Sequence, residues 1–218
     1  MNSTRRMTSI LRSEYHGESI DSGNFSEDPI IQFERWMEDA ISQNVKEPNA
    51  LHLATADASG RPSGRIVLLR DFSERGFSFF TNYGSRKGDD LQQNNQASMT
   101  FFWNELYRQI RLGGKVYKLP AEESDAYFRS RPRESQISAV ASQQSRVLDN
   151  RELLVKMAAE IDEKYRDRPV PRPDDWGGYY LWPEYIEFWQ GREHRLHDRL
   201  QYIRTTPDVR WTIRLLYP

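Results

Sequence analysis

The densest group of chemically active side chains lies near the C-terminus, over residues 188–199, FWQGREHRLHDR. This segment holds three arginines, two of the chain's four histidines and a Phe-Trp pair. Arginine presents a fixed fork of donors that matches phosphate, and histidine titrates near neutral pH. The segment is typical of a pocket for a planar, anionic ligand. A polar strand edge is the ordinary alternative for a charged run.

A second cationic pattern is the segment RIVLLR, residues 65–70, which has an arginine at each end of a four-residue apolar run. Alternation along a strand would place Arg65 and Arg70 on opposite faces. An arginine that projects from a sheet needs an anion or solvent. The segment therefore predicts either an anion contact or an exposed edge.

A third pattern, TNYGSRKG at residues 81–88, follows a predicted strand and opens a short helix with Ser85 as its N-cap. Unpaired amides at a helix N-terminus, together with Arg86 and Lys87, favour phosphate. The glycine spacing is not that of a P-loop, and a solvated turn is the alternative.

Tyr127, Arg131 and Ser135 follow at four-residue intervals. A phenol, a guanidinium and a hydroxyl at that spacing could hold a second phosphate. Pro132 interrupts the helix, however, so the three side chains need not share a face. The neutral donors and acceptors of Gln144 and Ser145 are ordinary loop chemistry by composition alone.

Composition restricts the function classes. A net charge of −1 gives no long-range attraction to nucleic acid or to an anionic membrane. No run approaches the roughly twenty apolar residues of a membrane span, and the N-terminus lacks the apolar region of a secretory signal. The absence of cysteine excludes disulfides and thiolate chemistry, and no metal-ligand pattern is found. We expect a cytoplasmic protein without a metal.

The pattern of elements predicts a mainly β protein with peripheral helices. Asp28-Pro29 predicts a helix start, with Asp28 as N-cap and Pro at the first position. Five short strands are expected at 51–56, 64–70, 77–82, 98–103 and 108–119, and three helices at 121–128, 133–141 and 151–165. Strands return at 178–182, 185–189, 200–204 and 209–215. Short strands at this spacing indicate an antiparallel sheet that closes into a barrel or sandwich.

We expect residues 1–26 to form a mobile arm and residues 27–218 a single domain with helical insertions at about 120–166. At 37% apolar content the core is modest. The 12% aromatic content supplies much of its burial.

Taken in order, these segments resemble the pyridoxine/pyridoxamine 5′-phosphate oxidase family from about residue 11 to the end. The matching pieces are RIVLL at 65–69, FFTN at 79–82 with SRK at 85–87, RQ at 108–109, YFRSRP at 127–132 with SQI at 135–137, QS at 144–145, WGG at 176–178, and EFWQG at 187–191 continuing through Arg199. Each piece alone is weak, but the ordered set is specific.

The resemblance implies an antiparallel FMN-binding split β-barrel and a homodimer with FMN at the subunit interface. It also implies an enzyme that oxidises pyridoxine or pyridoxamine 5′-phosphate to pyridoxal 5′-phosphate, with O₂ reoxidising the flavin to give peroxide. The FMN contacts that it implies are Arg65, Ile66, Val67, Leu68, Leu69, Arg70, Phe80, Thr81, Arg86, Lys87, Gln109, Gln144, Ser145, Trp189 and Arg199. Of these, Arg65, Arg86 and Lys87 would hold the FMN phosphate.

The resemblance also implies the substrate contacts. The substrate phosphate would be bound by Arg70, Tyr127, Arg131 and Ser135, and Arg195 and His197 would face the pyridine ring, with Leu196 between them as a further substrate contact. Arg195 and His197 are the predicted catalytic residues. Arg12, Ser13, Glu14 and Tyr15 would form a lid over the substrate. Flavin performs the redox step, so no protein nucleophile is needed.

Three positions depart from the family pattern. Arg70 replaces a usual lysine, Ser13 replaces a common arginine, and the chain ends in Arg214-Leu215-Leu216-Tyr217-Pro218 rather than the shorter family ending. Arg70 and Ser13 motivate an alternative, a non-catalytic binder or carrier of pyridoxal phosphate on the same scaffold. A split-barrel reductase with another flavin-type cofactor is a third hypothesis.

Overall fold

Asp28 and Pro29 begin the first described helix, as the sequence predicts. The structure, a computed structural model, describes residues 14–17, 19–20 and 25–218. Helix α1 spans Pro29–Ser42, and Asp28 Oδ1 accepts the Ile30 N–H at 2.7 Å. This bond satisfies one of the amides that a helix start leaves unpaired.

The strands form one sheet of nine among the described residues. They are β1 (Ala50–Ala56), β2 (Pro62–Leu68), β3 (Asp71–Ser73), β4 (Gly76–Asn82), β5 (Gln96–Trp103), β6 (Arg108–Lys118), β7 (Trp176–Gln190), β8 (Asp198–Ile203) and β9 (Thr212–Leu215). The main order is β2-β1-β5-β6-β7-β4-β3, and β8 pairs with both β7 and β9. The pairs β1–β2, β3–β4, β4–β7, β7–β8 and β8–β9 are antiparallel. The predicted antiparallel β fold is confirmed.

Helices follow β4 and fill the long connection between β6 and β7. They are α2 (Arg86–Gln93), α3 (Ala121–Ser130), α4 (Arg133–Ala141) and α5 (Arg151–Lys164), with short 3₁₀ turns at Asn104–Leu106 and Glu193–Arg195. All of the predicted helices are present. Pro132 separates α3 from α4, because proline ends the helix that precedes it.

The residues group into two compact units. The first contains residues up to Pro48, 100–112 and 185–218, and the second contains 49–99 and 113–184. Aromatic rings fill the core of the first unit: Phe33, Phe101 and Phe188 are fully buried, and Trp36 packs edge-on against Phe188. Aromatic residues thus replace aliphatic bulk, as the composition predicts.

The second unit has its own core under the sheet and a smaller one under the helices. Leu51, Leu53, Phe77 and Phe79 are buried in the former. The smaller core contains Phe128, Ile137, Val170 and Trp176, against which Phe80, Tyr127, Ala158 and Ile161 pack. It fixes α3, α4 and α5 against the end of β4 and the beginning of β7.

Two of the predicted strand boundaries are wrong. The strand expected at 64–70 ends at Leu68, and the chain forms a separate strand, β3, from Asp71. The strands expected at 178–182 and 185–189 are one strand, β7, because the backbone of Pro183 stays extended at the cost of one ladder donor. Gly114 lies against the part of β7 that contains Pro183, and a Cβ added to Gly114 would collide with the Trp182 carbonyl.

The C-terminal strand boundaries also differ from those predicted: β8 begins earlier, and β9 is shorter. Extended pairing covers Asp198–Ile203 and Thr212–Leu215 rather than 200–204 and 209–215. The chain turns between them, where the Val209 N–H donates to the Thr206 carbonyl at 3.2 Å. Pro207 has no N–H to donate, which favours the turn.

Candidate active site

Two neighbouring cavities of the second unit contain most of the predicted binding residues. The first, here called the lysine cavity, has a volume of about 650 Å³. Its lining residues are Ser63, Gly64, Arg65, Ile66, Val67, Leu68, Arg70, Phe80, Thr81, Arg86, Lys87, Gln144 and Ser145. Of the FMN contacts predicted in this unit, Leu69 alone does not line the cavity, and its side chain is buried.

The start of α2 brings Lys87 to this cavity. Ser85 is the N-cap and its hydroxyl accepts the Gly88 N–H, so the predicted cap is confirmed. A Cβ at Gly88 would collide with the Tyr83 carbonyl, so only glycine lets the first turn lie this close to the preceding loop. Lys87 is consequently turned inward, at 7% exposure.

The Lys87 ammonium uses its three donors on neutral oxygens. Nζ donates to Thr81 Oγ1 at 2.9 Å, to Ser85 Oγ at 3.1 Å and to Gln144 Oε1 at 2.8 Å. Burial, together with the nearby charge of Arg65, lowers the pKa of Lys87 from 10.5 to about 8. The site therefore holds a buried cation on partners that carry no charge, an arrangement that an anion would stabilise.

Arg65 is held equally firmly on β2, the strand at one end of the sheet order. Its guanidinium donates to the Leu53 carbonyl at 3.1 Å, to Thr55 Oγ1 at 2.8 Å and to Ser63 Oγ. Asp90 lies 3.8 Å away and in turn accepts from Thr55. Burial lowers the pKa of Arg65, and the Asp90 carboxylate opposes that shift. Sequence reasoning missed Thr55 and Asp90, since neither stands in a recognisable motif.

The second cavity, here called the arginine cavity, has a volume of about 410 Å³. Its lining residues are Arg70, Phe80, Thr81, Asn82, Tyr127, Arg131, Ser138, Ala139, Ala141, Ser142, Gln144, Leu154, Ala158 and Trp176. It shares Arg70, Phe80, Thr81 and Gln144 with the lysine cavity. Within the described part of the chain, neither cavity is lined by an aspartate or a glutamate.

Stacked rings place the cations of the arginine cavity. The Tyr127 ring lies on Phe80 with centroids 3.8 Å apart, and the Arg131 guanidinium lies 4.7 Å from the Trp176 centroid. Burial and the charge of Arg70 lower the pKa of Arg131. Its Nη1 is buried, and no hydrogen-bond partner is present among the described residues. A buried donor of this kind is costly unless a ligand accepts from it.

Ser135 differs in position from the other predicted phosphate ligands. It lies in the first turn of α4, where its N–H donates to the Pro132 carbonyl at 2.9 Å. It is not among the residues that line the arginine cavity. The four-residue spacing thus brings Tyr127 and Arg131 together, but Pro132 redirects the chain before Ser135.

In the first unit, the residues predicted to face the pyridine ring lie between β7 and β8. His194 and Arg195 both have left-handed backbone angles, φ 54° and 62°. Such angles cost non-glycine residues about 1–2 kcal/mol each. Arg195 and Leu196 are exposed. The loop is therefore a strained segment that the surrounding contacts must hold.

His197 is fixed by its ring and by one nitrogen. The Trp189 ring centroid lies 4.7 Å from that of the imidazole, and Nδ1 accepts the Arg192 N–H at 3.0 Å. Because a backbone amide can only donate, the neutral imidazole carries its proton on Nε2. Burial and the charge of Arg195 lower the pKa of His197, which favours this neutral form.

Arg199 and Gln109 are two further residues of this unit that are predicted to contact FMN. Arg199 donates from Nε to Glu187 Oε1 at 2.9 Å and from Nη1 to the Tyr217 carbonyl at 2.9 Å. Glu187 is buried whereas the Arg199 side chain is 24% exposed, so the ion pair is partly buried. Gln109 is half-buried on β6. Arg12 and Ser13 lie outside the described residues.

The comparisons with known proteins agree with this geometry. Residues 37–165 match the family model described as pyridoxamine 5′-phosphate oxidase, and residues 176–218 match the pyridoxine 5′-phosphate oxidase C-terminal dimerisation region. The chain belongs to the pyridoxine/pyridoxamine 5′-phosphate oxidase family. Its relatives include the oxidases of that name from Burkholderia orbicola, 52% identical over 95% of this chain and 97% of the relative, and from Rubrobacter xylanophilus, 50% identical over 94% and 95%.

Solved structures give the same family and fold. PhzG from Burkholderia lata 383, solved in complex with tetrahydrophenazine-1-carboxylic acid, is 33% identical with a TM-score of 0.87, covering 94% of this chain and all of that one. A pyridoxamine 5′-phosphate oxidase-related, FMN-binding protein from Nostoc punctiforme superposes with a TM-score of 0.68 at 17% identity, over 85% and 97% of the two chains, and shows the fold alone. The fold of this oxidase-family protein is the split β-barrel, and the protein is an oxidoreductase. No helix in its described ranges is long and apolar enough to span a membrane.

The Lys87 geometry predicts how stability changes with pH. Unfolded Lys87 keeps its proton up to about pH 10.5, whereas folded Lys87 loses it above about pH 8, so the unfolded state binds more protons in that window. From pH 7 to pH 10, the free energy of unfolding of ligand-free wild type should therefore rise by about 2 kcal/mol relative to Lys87→Met.

Urea unfolding at several pH values measures this difference. Lys115→Met, which removes an exposed lysine of the same unit, is the matched control and should follow the wild-type curve. An equal pH dependence in Lys87→Met and wild type would show that Lys87 is not titrating in this range.

Proposed function

We propose that the protein oxidises pyridoxine 5′-phosphate and pyridoxamine 5′-phosphate to pyridoxal 5′-phosphate with FMN as cofactor and O₂ as acceptor. The alcohol loses two electrons and two protons to O₂, which gives H₂O₂. The amine additionally consumes water and releases NH₃. One observation carries the proposal: two cavities share a wall, each has its own cations, and no carboxylate lines either of them in the described chain.

The residues of the lysine cavity fit the phosphate of FMN. A phosphate near Lys87 and Arg65 would compensate two partly buried charges whose pKa values burial has lowered. Arg86 is exposed beside them at the start of α2, where the helix dipole also favours an anion. Thr81 and Gln144 are fixed by Lys87, so these groups are in place before a ligand arrives.

The arginine cavity fits the substrate phosphate. Arg131 Nη1 is a buried donor that would gain an acceptor, and Arg70 adds a second fork 5.9 Å from the Tyr127 ring centroid. The predicted contribution of Ser135 stays a proposal, as do those of Gln109, Trp189 and Arg199 toward FMN.

Bound FMN would supply the acceptance of two electrons from the substrate and their transfer to O₂. The chain's own residues bind and orient. We propose that Arg195 and Leu196 contact the pyridine ring and that His197 donates a hydrogen bond from Nε2–H to a substrate oxygen. With its proton on Nε2, neutral His197 cannot accept a proton at that atom, so its role is to orient the substrate.

A spectroscopic titration tests the reaction. The purified protein should bind FMN, and anaerobic addition of pyridoxamine 5′-phosphate should bleach the visible flavin absorption. Oxygen should restore the absorption with one H₂O₂ formed per flavin. A protein that binds pyridoxal phosphate without bleaching would support the carrier alternative instead, and a different cofactor identified by mass spectrometry would support the reductase.

Arg131 provides a test of phosphate recognition. Arg131→Gln should raise KM for pyridoxamine 5′-phosphate about ten- to hundredfold, because a charge-assisted bond is lost. Activity toward unphosphorylated pyridoxamine should be little affected. Arg129→Gln, an exposed arginine of α3 that lines neither cavity, is the matched control. Equal losses with both substrates would contradict a phosphate contact.

We also propose that the protein is a homodimer with its active sites at the interface. The match of residues 176–218 to a dimerisation region supports this. So does β9, where Ile213 and Leu215 are 41% and 72% exposed, a composition that favours burial by a partner. Sedimentation of the FMN-loaded protein should give twice the mass of one chain, and a monomer at micromolar concentration would contradict the proposal.

A further inference from the structure

Tyr15 packs into a cluster of rings in the first unit. Its ring meets those of Tyr107, Trp189 and His197 edge to face, with centroids 5.3, 5.7 and 5.5 Å away. Gly191 lies beneath it, and a Cβ there would come within 2.8–3.0 Å of Tyr15 carbon atoms. The absence of a side chain at Gly191 therefore leaves the room that the Tyr15 ring occupies.

The residues around Tyr15 hold the strained loop at several points. Glu14 Oε2 accepts the His194 N–H at 3.3 Å, and His16 Nδ1 lies 2.9 Å from Glu193 Oε1. Arg192 donates to the Gly17 carbonyl at 3.1 Å, and the Ile20 N–H donates to Asp198 Oδ2 at 2.9 Å. These contacts run along the loop from Arg192 to Asp198 and stabilise left-handed angles that the loop would otherwise avoid.

His197 is confined between two aromatic rings and one amide. Trp189 and Tyr15 contact the imidazole, while Arg192 N–H occupies Nδ1. The hydrogen bond fixes which nitrogen is protonated only while Nδ1 stays against the Arg192 amide, and the two ring contacts oppose the rotation about the Cβ–Cγ bond that would break it. Tyr15 supplies one of the two ring contacts, from a segment some 180 residues away in sequence.

We propose that Tyr15 is a positioning residue: seated against Gly191, its ring fixes the plane of the His197 imidazole and so the direction of Nε2–H. The consequence for turnover rests on the proposed function, whereas the effect on the imidazole does not. This role differs from the lid over the substrate that the sequence implies, because a lid residue acts by contacting the substrate itself.

Three variants separate these roles in the FMN-loaded protein. Tyr15→Phe keeps the ring, Tyr15→Ala removes it, and Gly191→Ala displaces it. Imidazole ¹⁵N correlation spectra report the tautomer of His197, assigned with His197→Asn, and steady-state kinetics with pyridoxamine 5′-phosphate give kcat and KM separately. His16→Ala is the matched control, since it removes the contact with Glu193 but leaves the ring cluster.

We expect His16→Ala to keep the Nε2–H signature and a kcat within about twofold of wild type, and Tyr15→Phe, which retains the ring, to keep the Nε2–H signature. Tyr15→Ala and Gly191→Ala should mix the two tautomers and lower kcat about ten- to hundredfold, the scale of a misplaced reacting group. An unchanged imidazole spectrum in Tyr15→Ala overturns the inference, and so does a rise in KM alone, which would indicate a substrate contact. If wild type does not oxidise the substrate, the proposed reaction fails and the spectra still decide the role of Tyr15.

Discussion

Lys87 is held on three oxygens that carry no charge, and the rest of the candidate site depends on this arrangement. Its ammonium is buried, its pKa is lowered to about 8, and Thr81 and Gln144 are oriented by it. A carboxylate partner would have stabilised the folded protein at the expense of anion binding. The charge of Lys87 instead lies where the FMN phosphate that we propose would compensate it.

The helices between β6 and β7 hold a second, partly buried cation, at the site that we propose for the substrate phosphate. Phe128, Ile137 and Trp176 form a small core that fixes α3 and α4. This packing lays Arg131 on Trp176 and leaves Nη1 buried without a partner among the described residues. Apolar packing thus supplies the energy that holds a charged donor in place. Because the two cavities share Arg70 and Gln144, the ligands we propose for them would lie side by side.

The loop that contains Arg195 and His197 is held in a strained backbone conformation, whereas Lys87 and Arg131 are held as buried or partly buried charges. Two consecutive left-handed residues persist because residues of the N-terminal segment and the Arg192 amide hold the loop on several sides. Preorganisation of this kind places donors before the substrate binds. It also defines the chemistry of His197, which presents an N–H rather than a lone pair.

The sequence alone determined the family, the antiparallel fold and the local starts of helices. Asp28-Pro29 and Ser85 cap their helices as predicted, because capping depends on a few adjacent residues. Through an ordered set of motifs, the sequence also predicted eleven of the thirteen residues that line the lysine cavity, but only six of the fourteen that line the arginine cavity. The arm over residues 1–26 and the individual binding roles remain predictions.

Only the tertiary structure decided how these residues are arranged. Sequence could not show that β7 continues through Pro183, that Arg199 pairs with a buried Glu187, or that Thr55 and Asp90 hold Arg65. Nor could it show that Lys87 meets Gln144, 57 residues away, or that the Arg192 amide fixes the His197 tautomer. The reason is physical: capping is a short-range interaction, whereas the partner of a buried charge is chosen by the packing of distant segments.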